Sequence, residues 1–510
     1  MAVLTASCPG CGAPLEFSIG QSAAKICGFC RTTVVRTDHG LENLGKVAAL
    51  AATPSLIAVG DSGTLGGRPI EVLGRVQLDH GEGPWDEYYV SFDYGAAWGW
   101  LAFAEGRWYV TSEAPGVAPP PLEALSLEQD VPLAGAAYRV AEIKQGTIVS
   151  SEGELPAAFP GGFVRRYADL FAPGGGFATL DYGDGRARPQ VFTGFAFEEH
   201  QLVVQQLGER SANKVKVDQL QCPSCGGELP KLTGERAERL GCPYCGAVSD
   251  VALQQVVYQQ EKLRQDPQIP LGSRGMIDDV EWITVAYMRR STSFDGELFS
   301  WEEYLLWSPA AGFRWLVKDE GKWSWVVSQN LAELDLSRMP ASVGRGGKVF
   351  RKRNANDARV EYVLGEVYWK CRVGETTAVM DFTSGDDVLS REASDSEVRW
   401  SYSTPISWLV IARAFALALA GRGEKLPPPP RSGARIAALL GSLTVGSLMS
   451  CGLMTCGGCN PTRSYVASTY ATGVYSYPQR YYAPSTSGGS GTSGSGSSYR
   501  GGSSSYSGGK

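Results

Sequence analysis

Histidine is scarce in this sequence, with three copies among 510 residues, and none of them has an equivalent elsewhere in the chain. A histidine acts as a general base only with a positioned partner, so we expect His39, His80 and His200 in loops or on the surface. The sequence also lacks a P-loop, a dinucleotide-binding glycine motif and a serine nucleophile elbow in a fitting context. These absences leave no reaction to assign, and a non-enzymatic role is favoured.

Positive charge is not in excess. The chain has 47 Lys and Arg residues against 53 Asp and Glu residues, which gives a net charge of −6. This balance provides no global basic field to attract nucleic acid. The first residues, MAVLTASCPGCG, contain no basic start followed by an apolar run, so no signal peptide is predicted. We therefore expect a reducing compartment, where paired cysteines are more often metal ligands than disulfides.

Cysteine, in contrast, follows a strict pattern. Eight of the twelve cysteines form C-x2-C pairs, which combine into C-x2-C-x15-C-x2-C and C-x2-C-x16-C-x2-C. Both spacings are typical of four-cysteine zinc ribbons, in which two turns supply a tetrahedral set of thiolates. A closed shell of four thiolates leaves no position for substrate, so we predict two structural Zn²⁺ sites. Iron, redox chemistry and unliganded thiols are weaker alternatives. The predicted ligands are Cys8, Cys11, Cys27 and Cys30, and then Cys222, Cys225, Cys242 and Cys245.

The chain repeats itself. The second cysteine group begins 214 residues after the first, WDEYY at 85 returns as WEEYL at 301, and EGRW at 105 returns as EGKW at 320. A period of this length indicates a domain duplication, since solenoid repeats span about 20–50 residues. After each cysteine group comes a stretch with a helical pattern, LENLGKVAALAA in one copy and VALQQVVYQQEKLRQ in the other. We expect a helix at both places.

Each copy is expected to be mainly β. Segments such as YYVSFDY and KWSWVVS alternate in polarity and are rich in aromatic and β-branched residues. The EGRW and EGKW stretches predict hairpin turns in which glycine takes a positive φ. The predicted fold is two tandem units, each a zinc ribbon plus a small antiparallel β-barrel or sandwich. The predicted boundaries are 1–38 and 218–250 for the ribbons, 39–210 and 251–420 for the β domains, and 421–435 for a Pro-rich linker.

A family resemblance rests on these repeated motifs. A ribbon followed by GDSGTL or GSRGMI, then by W[DE]EY, EG[RK]W and GE[LV], resembles the bacterial family known as domain of unknown function 4178. The resemblance covers two copies across roughly residues 1–420. It implies a fold family and a bacterial setting, often beside genes of polyamine synthesis or of small membrane proteins. It implies no activity.

Acidic and tryptophan residues that recur in both copies are the candidates for a ligand site. We expect turn capping or strand-edge hydrogen bonding for the acids and core positions for the tryptophans. The alternative is a module that binds or processes a cationic small molecule such as a polyamine, with Glu154 and Glu366 as essential ligands. The recurrent pairs are Glu87/Glu303, Glu154/Glu366, Asp169/Asp381, Trp85/Trp301, Trp100/Trp315 and Trp108/Trp323.

A membrane anchor is predicted near the C-terminus. Residues 436–456 carry no charge and are long enough to cross a hydrocarbon core of about 30 Å. Because basic residues cluster before this segment, the positive-inside rule places the N-terminal domains in the bacterial cytoplasm and the tail outside. The Ser/Gly/Tyr-rich tail, 457–510, is predicted to be disordered. The apolar stretch ISWLVIARAFALALA is predicted to be a helix that closes the second unit, and a second membrane pass is the alternative.

Together these patterns predict a non-enzymatic scaffold, anchored to the bacterial cytoplasmic membrane, that docks or senses an unknown protein partner or small ligand. Two alternatives stay open. One is the cation-binding module described above. The other is nucleic-acid binding through the ribbons, which the acidic charge balance makes unlikely.

Overall fold

A computed structural model describes most of the chain before residue 418. All of its described residues belong to one compact unit, Met1–Glu424. Among them, no helix is both long and apolar enough to cross a membrane. The predicted linker (421–435), membrane segment (436–456) and tail (457–510) lie outside the described residues, as does His39. The described ranges are 4–17, 23–37, 40–48, 50, 55–80, 84–104, 106–185, 188–206, 219–234, 236–251, 253–261, 267–294 and 296–417.

The first copy consists of strands joined by short turns, which confirms the mainly β prediction. Three-residue 3₁₀ turns occur at Leu122–Ala124, Pro173–Gly175 and Glu199–Gln201. The strands are β1 Leu4–Ser7, β2 Pro14–Phe17, β3 Ala24–Ile26, β4 Thr32–Thr37, β5 Gly40–Lys46, β6 Ser62–Leu65, β7 Arg68–Asp79, β8 Pro84–Phe92, β9 Ala97–Ala104, β10 Arg107–Glu113, β11 Asp130–Leu133, β12 Ala136–Leu155, β13 Val164–Phe171, β14 Gly176–Gly183, β15 Gln190–Phe197 and β16 Leu202–Gln206.

The second copy repeats this order and ends in a helix. One 3₁₀ turn lies at Leu331–Glu333. The elements are β17 Gln219–Gln221, β18 Glu228–Pro230, β19 Arg239–Gly241, β20 Ala247–Asp250, β21 Gln255–Gln259, β22 Arg274–Ile277, β23 Val280–Phe294, β24 Glu297–Ser308, β25 Gly312–Asp319, β26 Lys322–Gln329, β27 Leu334–Asp335, β28 Ser342–Arg345, β29 Lys348–Val367, β30 Thr376–Ser384, β31 Asp387–Ala393, β32 Val398–Ile406 and α1 Trp408–Ala414.

Eight antiparallel strands close into a ring in each copy. In the first copy the order is β7-β8-β9-β10-β15-β14-β13-β12, and β12 pairs back onto β7. The second copy closes in the same way, as β23-β24-β25-β26-β32-β31-β30-β29, with β29 paired to β23. Each ring is therefore a small β-barrel, and the open choice between barrel and sandwich is settled in favour of the barrel. The glycine-containing hairpins form as predicted, with φ of 76° at Gly106 and 79° at Gly321.

Each cysteine ribbon pairs with the end of the strand that closes its ring. A cysteine ribbon is the set of two short hairpins in one copy that together carry four cysteines. In the first copy β3 pairs with the end of β12, where Lys25 stands opposite Glu154. In the second copy β19 pairs with the end of β29, where Leu240 stands opposite Glu366. One continuous strand therefore belongs to both the ring and the ribbon.

Apolar side chains on the outer face of each ring are covered by additional elements. In the first copy β6 and β16 cover a cluster that contains Trp108, which is only 2% exposed. In the second copy α1 lies over β22, and its Trp408 stacks on Trp323 with ring centroids 5.3 Å apart. The helix lies inside the apolar stretch for which the sequence predicts one. The third recurrent tryptophan pair, Trp108 and Trp323, is thus in the core as predicted.

The helices predicted after the two ribbons are wrong. The structure has strands there, β5 and β21, which pair with β4 and β20. Residues of LENLGK pair directly with the ribbon hairpin, for example Leu41 with Arg36. Helix propensity is a weak preference that tertiary pairing overrides, and Val256 and Val257 favour a strand in any case.

Contacts between the copies join them inside the compact unit. The Arg139 side chain donates to the main-chain oxygens of Leu331 (2.9 Å) and Leu334 (2.7 Å). The Arg391 guanidinium pairs with Glu128 at 2.8 Å. These links bring the 3₁₀ turn and the last hairpin of the second copy against β12 and its preceding loop.

The crossing of β12 over β7 requires a glycine. Gly153 has a φ of 75°, and a Cβ there would lie 2.2 Å from the main-chain oxygen of Leu73. Its counterpart Gly365 has a φ of 81° and would meet the Val285 oxygen at 2.3 Å. Both the backbone conformation and the close approach exclude a side chain at this point of each ring.

We therefore expect Gly153→Ala to destabilise the fold by more than positive φ alone explains. Gly162→Ala is the control, because Gly162 has a φ of 86° but open space around its Cβ position. The control should lose about 1–2 kcal/mol of unfolding free energy, and Gly153→Ala about 1–3 kcal/mol more from the collision. Urea unfolding followed by tryptophan fluorescence measures both. Equal losses would show that the close approach costs nothing.

Candidate functional sites

The first cysteine ribbon gathers its four sulfur atoms at one point. Cys8 follows β1, and Cys27 and Cys30 lie in the turn between β3 and β4. The Sγ atoms of Cys8 and Cys30 are 3.7 Å apart, and those of Cys11 and Cys27 are 3.8 Å apart. A tetrahedral metal with metal–sulfur bonds of about 2.3 Å requires sulfur–sulfur edges of about 3.8 Å. The spacing therefore fits a four-thiolate metal site.

The second ribbon reproduces this geometry. Its matching sulfur pairs, Cys222–Cys245 and Cys225–Cys242, are 3.7 and 3.8 Å apart. In each group all four sulfur atoms lie within 4.8 Å of one another. Main-chain amides also face sulfur, since Tyr244 N is 3.4 Å from the Cys242 Sγ. Both predicted ligand sets are thus brought together and could hold a metal ion.

One ribbon turn departs from the glycine pattern. After the second cysteine of each pair the backbone enters the left-handed region, and glycine stands there in three of the four turns, at Gly12, Gly226 and Gly246. The fourth turn, CGFCR, places Arg31 there with a φ of 61°. The turn nevertheless has the same hydrogen bond, from Arg31 N to the Cys27 oxygen at 2.8 Å. The ribbon geometry is therefore maintained at the cost of backbone strain.

Glu154 and Glu366 lie at the junction between ribbon and ring. Glu154 is 3% exposed and accepts a hydrogen bond from Lys25 Nζ at 2.9 Å. Glu366 is 2% exposed and accepts from the amides of Leu232 and Thr233 and from the Thr233 hydroxyl. Burial raises the pKa of Glu366. These hydrogen bonds tie each ribbon to its ring, and the ligand role that the cation-binding alternative gives Glu154 and Glu366 stays a prediction.

One face of each ring points into its interior. In the first ring β7 and β12 separate β8 from β13, yet side chains of β8 and β13 meet. Arg165 Nη1 lies 3.5 Å from Glu87 Oε2, and the rings of Trp85 and Tyr167 are 6.4 Å apart. Such contacts are possible only across the interior. Several inward side chains are only half-buried, so solvent reaches part of the interior.

The first interior contains an arginine between two acids. Arg165 on β13 pairs with Asp181 on β14 and reaches Glu87 on β8. Burial raises the pKa of Glu87, although the neighbouring Arg165 opposes this effect. A third acid, Asp169, accepts a hydrogen bond from Thr179 at 2.7 Å. Burial and the nearby Glu142 carboxylate raise the pKa of Asp169 well above its usual range.

The second interior has the same acids at equivalent positions. Arg290 on β23 pairs with Glu392 on β31 through both guanidinium nitrogens, at 2.8 and 3.3 Å, and lies 3.5 Å from Glu303 on β24. The Trp301 indole donates to Glu303 at 2.6 Å and packs 5.8 Å from the Arg290 guanidinium. The third acid, Asp381, accepts from Ser390 at 2.6 Å, and burial raises its pKa.

The strand registers establish which positions correspond. Asp169 pairs with Thr179 as Asp381 pairs with Ser390, so Asp181 corresponds to Glu392. Leu78 stands opposite Trp85 as Arg290 stands opposite Trp301, so Leu78 is the counterpart of Arg290. Arg165 corresponds to Thr377, because their strand partners are Gly146 and Ala358. The two arginines therefore come from different strands.

Sequence reasoning found Glu87, Glu303, Asp169 and Asp381 because each recurs as the same residue. It missed Asp181 and Glu392, whose residue types differ, and both arginines, which have no arginine at the matching position. Trp85, Trp100, Trp301 and Trp315 point into the interiors and are half-buried, unlike the third tryptophan pair. Of the described histidines, His80 packs beside Trp85 at 5.1 Å and His200 is exposed.

Comparison with protein families separates the rings from the ribbons. The profile of the family described as Domain of unknown function (DUF4178) matches residues 58–198 and 270–408, together more than half of the chain. The chain belongs to this family. The two DUF4178 regions contain the two rings, which confirms the tandem arrangement, and both cysteine groups lie outside them. No curated protein and no solved structure shows a significant match to the chain.

We expect the purified DUF4178 chain to hold two tightly bound metal ions. Cys27→Ser should reduce the content to one ion, because it removes one ligand of a four-thiolate shell. Cys371→Ala is the control, since Cys371 is buried away from both groups and should leave two ions in place. Elemental analysis after dialysis against a weak chelator measures the content. A metal-free wild-type chain would contradict the assignment of both sites.

Proposed function

We propose that this DUF4178 protein is a non-enzymatic sensing scaffold whose two rings bind a small cationic ligand such as a polyamine. The supporting observation is the recurrence, in both interiors, of three acids beside inward-facing tryptophans. Two of these acids contact one arginine, and the third lies on a neighbouring strand. The acids therefore outnumber the guanidinium group at this level of each ring.

The physical basis is the cost of burying carboxylates. Burial raises the pKa of Glu87, Glu303, Asp169 and Asp381, so ionisation of each carboxyl group costs free energy in the unliganded ring. A cation that enters the ring would offset this cost, because opposite charges attract more strongly away from water. Trp301 already packs 5.8 Å from the Arg290 guanidinium and Trp85 lies 6.0 Å from the Lys370 ammonium, so both indole rings accept cation–π contacts. The inward tryptophans Trp85 and Trp301 are half-buried and can therefore be reached from solvent.

For the metal we propose zinc, held structurally. Four thiolates suit zinc and iron–sulfur centres, and the tetrahedral spacing of single ions favours zinc. When bound, the ion would stiffen the ribbon that continues from β12 or β29. Each ion would be held by the four cysteines of its ribbon. Glu154 and Glu366 would keep each ribbon in register with its ring.

For location we propose the bacterial cytoplasmic membrane, with residues 436–456 as the anchor. This proposal rests on the uncharged length of the segment and on the basic residues before it. The rings and ribbons would then be in the cytoplasm, where thiolates remain reduced. A ligand signal in the rings would be presented at the membrane surface.

A protein-docking role is a second candidate, supported by the ribbon tips. Phe29 and Tyr244 occupy the same place in the second cysteine turn of each ribbon, and they are 76% and 58% exposed. Large aromatic side chains on a surface are typical of interaction sites. Sensing in the rings and docking through the ribbons are compatible roles of one scaffold.

Ligand binding can be tested with spermidine as the probe. We expect the full chain, purified in mild detergent, to bind spermidine by isothermal titration calorimetry at low salt. The double variant Glu87→Gln/Glu303→Gln should lose about tenfold or more in affinity, because a charged partner is removed from each ring. The control is Glu281→Gln, because the Glu281 side chain is 53% exposed and pairs with Arg274. No binding by the wild type, or equal affinity in the double variant, would refute the proposed ring site.

Binding should also strengthen as the pH rises. The interior acids have raised pKa values, so between their ordinary and raised pKa they are protonated and cannot pair with a cation. Ligand binding would release these protons, so affinity should increase as the pH rises above the ordinary pKa of a carboxyl group, about 4. Asp169→Asn/Asp381→Asn should flatten this dependence. An affinity that is independent of pH in the wild type would argue against the interior acids as ligands.

A further inference from the structure

Each ring interior contains one arginine beside two acids, but the two arginines lie on non-equivalent strands. The acid partners are at equivalent positions, Glu87 and Asp181 in one ring and Glu303 and Glu392 in the other. The arginine is on β13 in the first ring and on β23 in the second. A guanidinium therefore reaches the same acid pair from opposite sides of the strand that closes the ring.

The two arginines lie on non-equivalent strands. This indicates that each interior requires a positive group beside its two acids, whichever strand supplies that group. Two carboxylates that face each other in a buried space repel, and their ionised state is costly without a positive group between them. Leu78 of the first ring shows that β7 can do without an arginine, provided that β13 carries one. Thr377 of the second ring shows the converse.

The contacts favour a guanidinium over an ammonium group. Arg290 makes two hydrogen bonds to Glu392, at 2.8 and 3.3 Å, and this arrangement needs a planar fork. The same group packs 5.8 Å from the Trp301 ring. In the first ring Gly146 stands opposite Arg165 in the register, and a Cβ at Gly146 would lie 2.4 Å from the Trp85 indole. The Arg165 guanidinium packs 5.5 Å from the Phe159 ring, so both arginines lie beside an aromatic ring.

We propose that the acid pair of each ring is a guanidinium site, occupied by an arginine that either of two strands can supply. This site rests on the proposed function and deepens it, because the acids that hold the arginine are the ones that would attract the cationic group of a ligand. The resident arginine offsets one of the two carboxylate charges, so the acid pair and the nearby Asp169 or Asp381 still attract an incoming cation.

Relocation of the arginine tests the site without any ligand. Arg165→Thr should destabilise the full chain, and the added change Leu78→Arg should recover most of the lost melting temperature, because it reproduces the second ring. The mirror variant in the second ring is Arg290→Leu with Thr377→Arg, and it gives an independent test if the first ring fails to fold. Leu78→Arg alone is the control, and it should not stabilise the wild type. Failure of both relocated variants to recover stability would overturn the proposal.

Chemical rescue tests the preferred cation. The Arg290→Ala variant should gain melting temperature on addition of millimolar methylguanidinium, while equal concentrations of methylammonium and sodium chloride should give a smaller shift. The wild type, whose site is filled, should not gain. Equal effects of the three salts would overturn a guanidinium site. These results do not depend on spermidine. Rescue without spermidine binding would refute the proposed sensing function and support the guanidinium site. Spermidine binding without rescue would support the sensing function and refute the guanidinium site.

Discussion

Closure of each ring by one long strand is the constraint on which the structure depends. β12 and β29 are each twenty residues long. β12 pairs with β11 at its start, with β13 along its middle, and with β7 and β3 toward its end. A shift of one residue in this strand would exchange its inward and outward side chains. It would also move Glu154 away from Lys25, so ring closure and ribbon attachment are fixed together.

Each ring carries apolar side chains on both faces, and its interior also holds paired charges. The outer clusters are covered by added elements, and the interiors contain apolar residues such as Leu78 and Leu305 beside the ion pairs. Burial of the outer faces supplies the hydrophobic driving force. Ion pairs inside contribute little net stability, because desolvation offsets their attraction. Their presence in both copies is therefore better explained by a requirement of the interior than by a gain in stability.

Local signals in the sequence were sufficient for part of this architecture. The cysteine spacing, the alternating polarity along strands and the glycine turns are each encoded within a few residues. The duplication is visible as repeated sequence motifs. Ring closure depends on β7 meeting β12, a pairing that no local pattern encodes. The stretches that became β5 and β21 have helical patterns, but their conformation is set by the ribbon strands beside them.

Recurrence in the sequence identified important acids but not their roles. Glu154 and Glu87 recur equally well, yet one ties the ribbon to the ring and the other faces the interior. Which side of a strand a residue takes depends on register and bulges, and β12 is irregular between Ile148 and Ser150. The two arginines were missed for a different reason. They lie on non-equivalent strands, β13 and β23, so no arginine recurs at a matching position.

Duplication within one chain has an evolutionary consequence. In a symmetric homodimer every substitution is made twice, so neither subunit can diverge from the other. Here each ring mutates alone, and the contact between the copies, such as Arg139 with the Leu334 carbonyl, need not be mirrored. One copy can therefore change while its sibling stays the same, as the arginine on β13 in one ring and on β23 in the other illustrates.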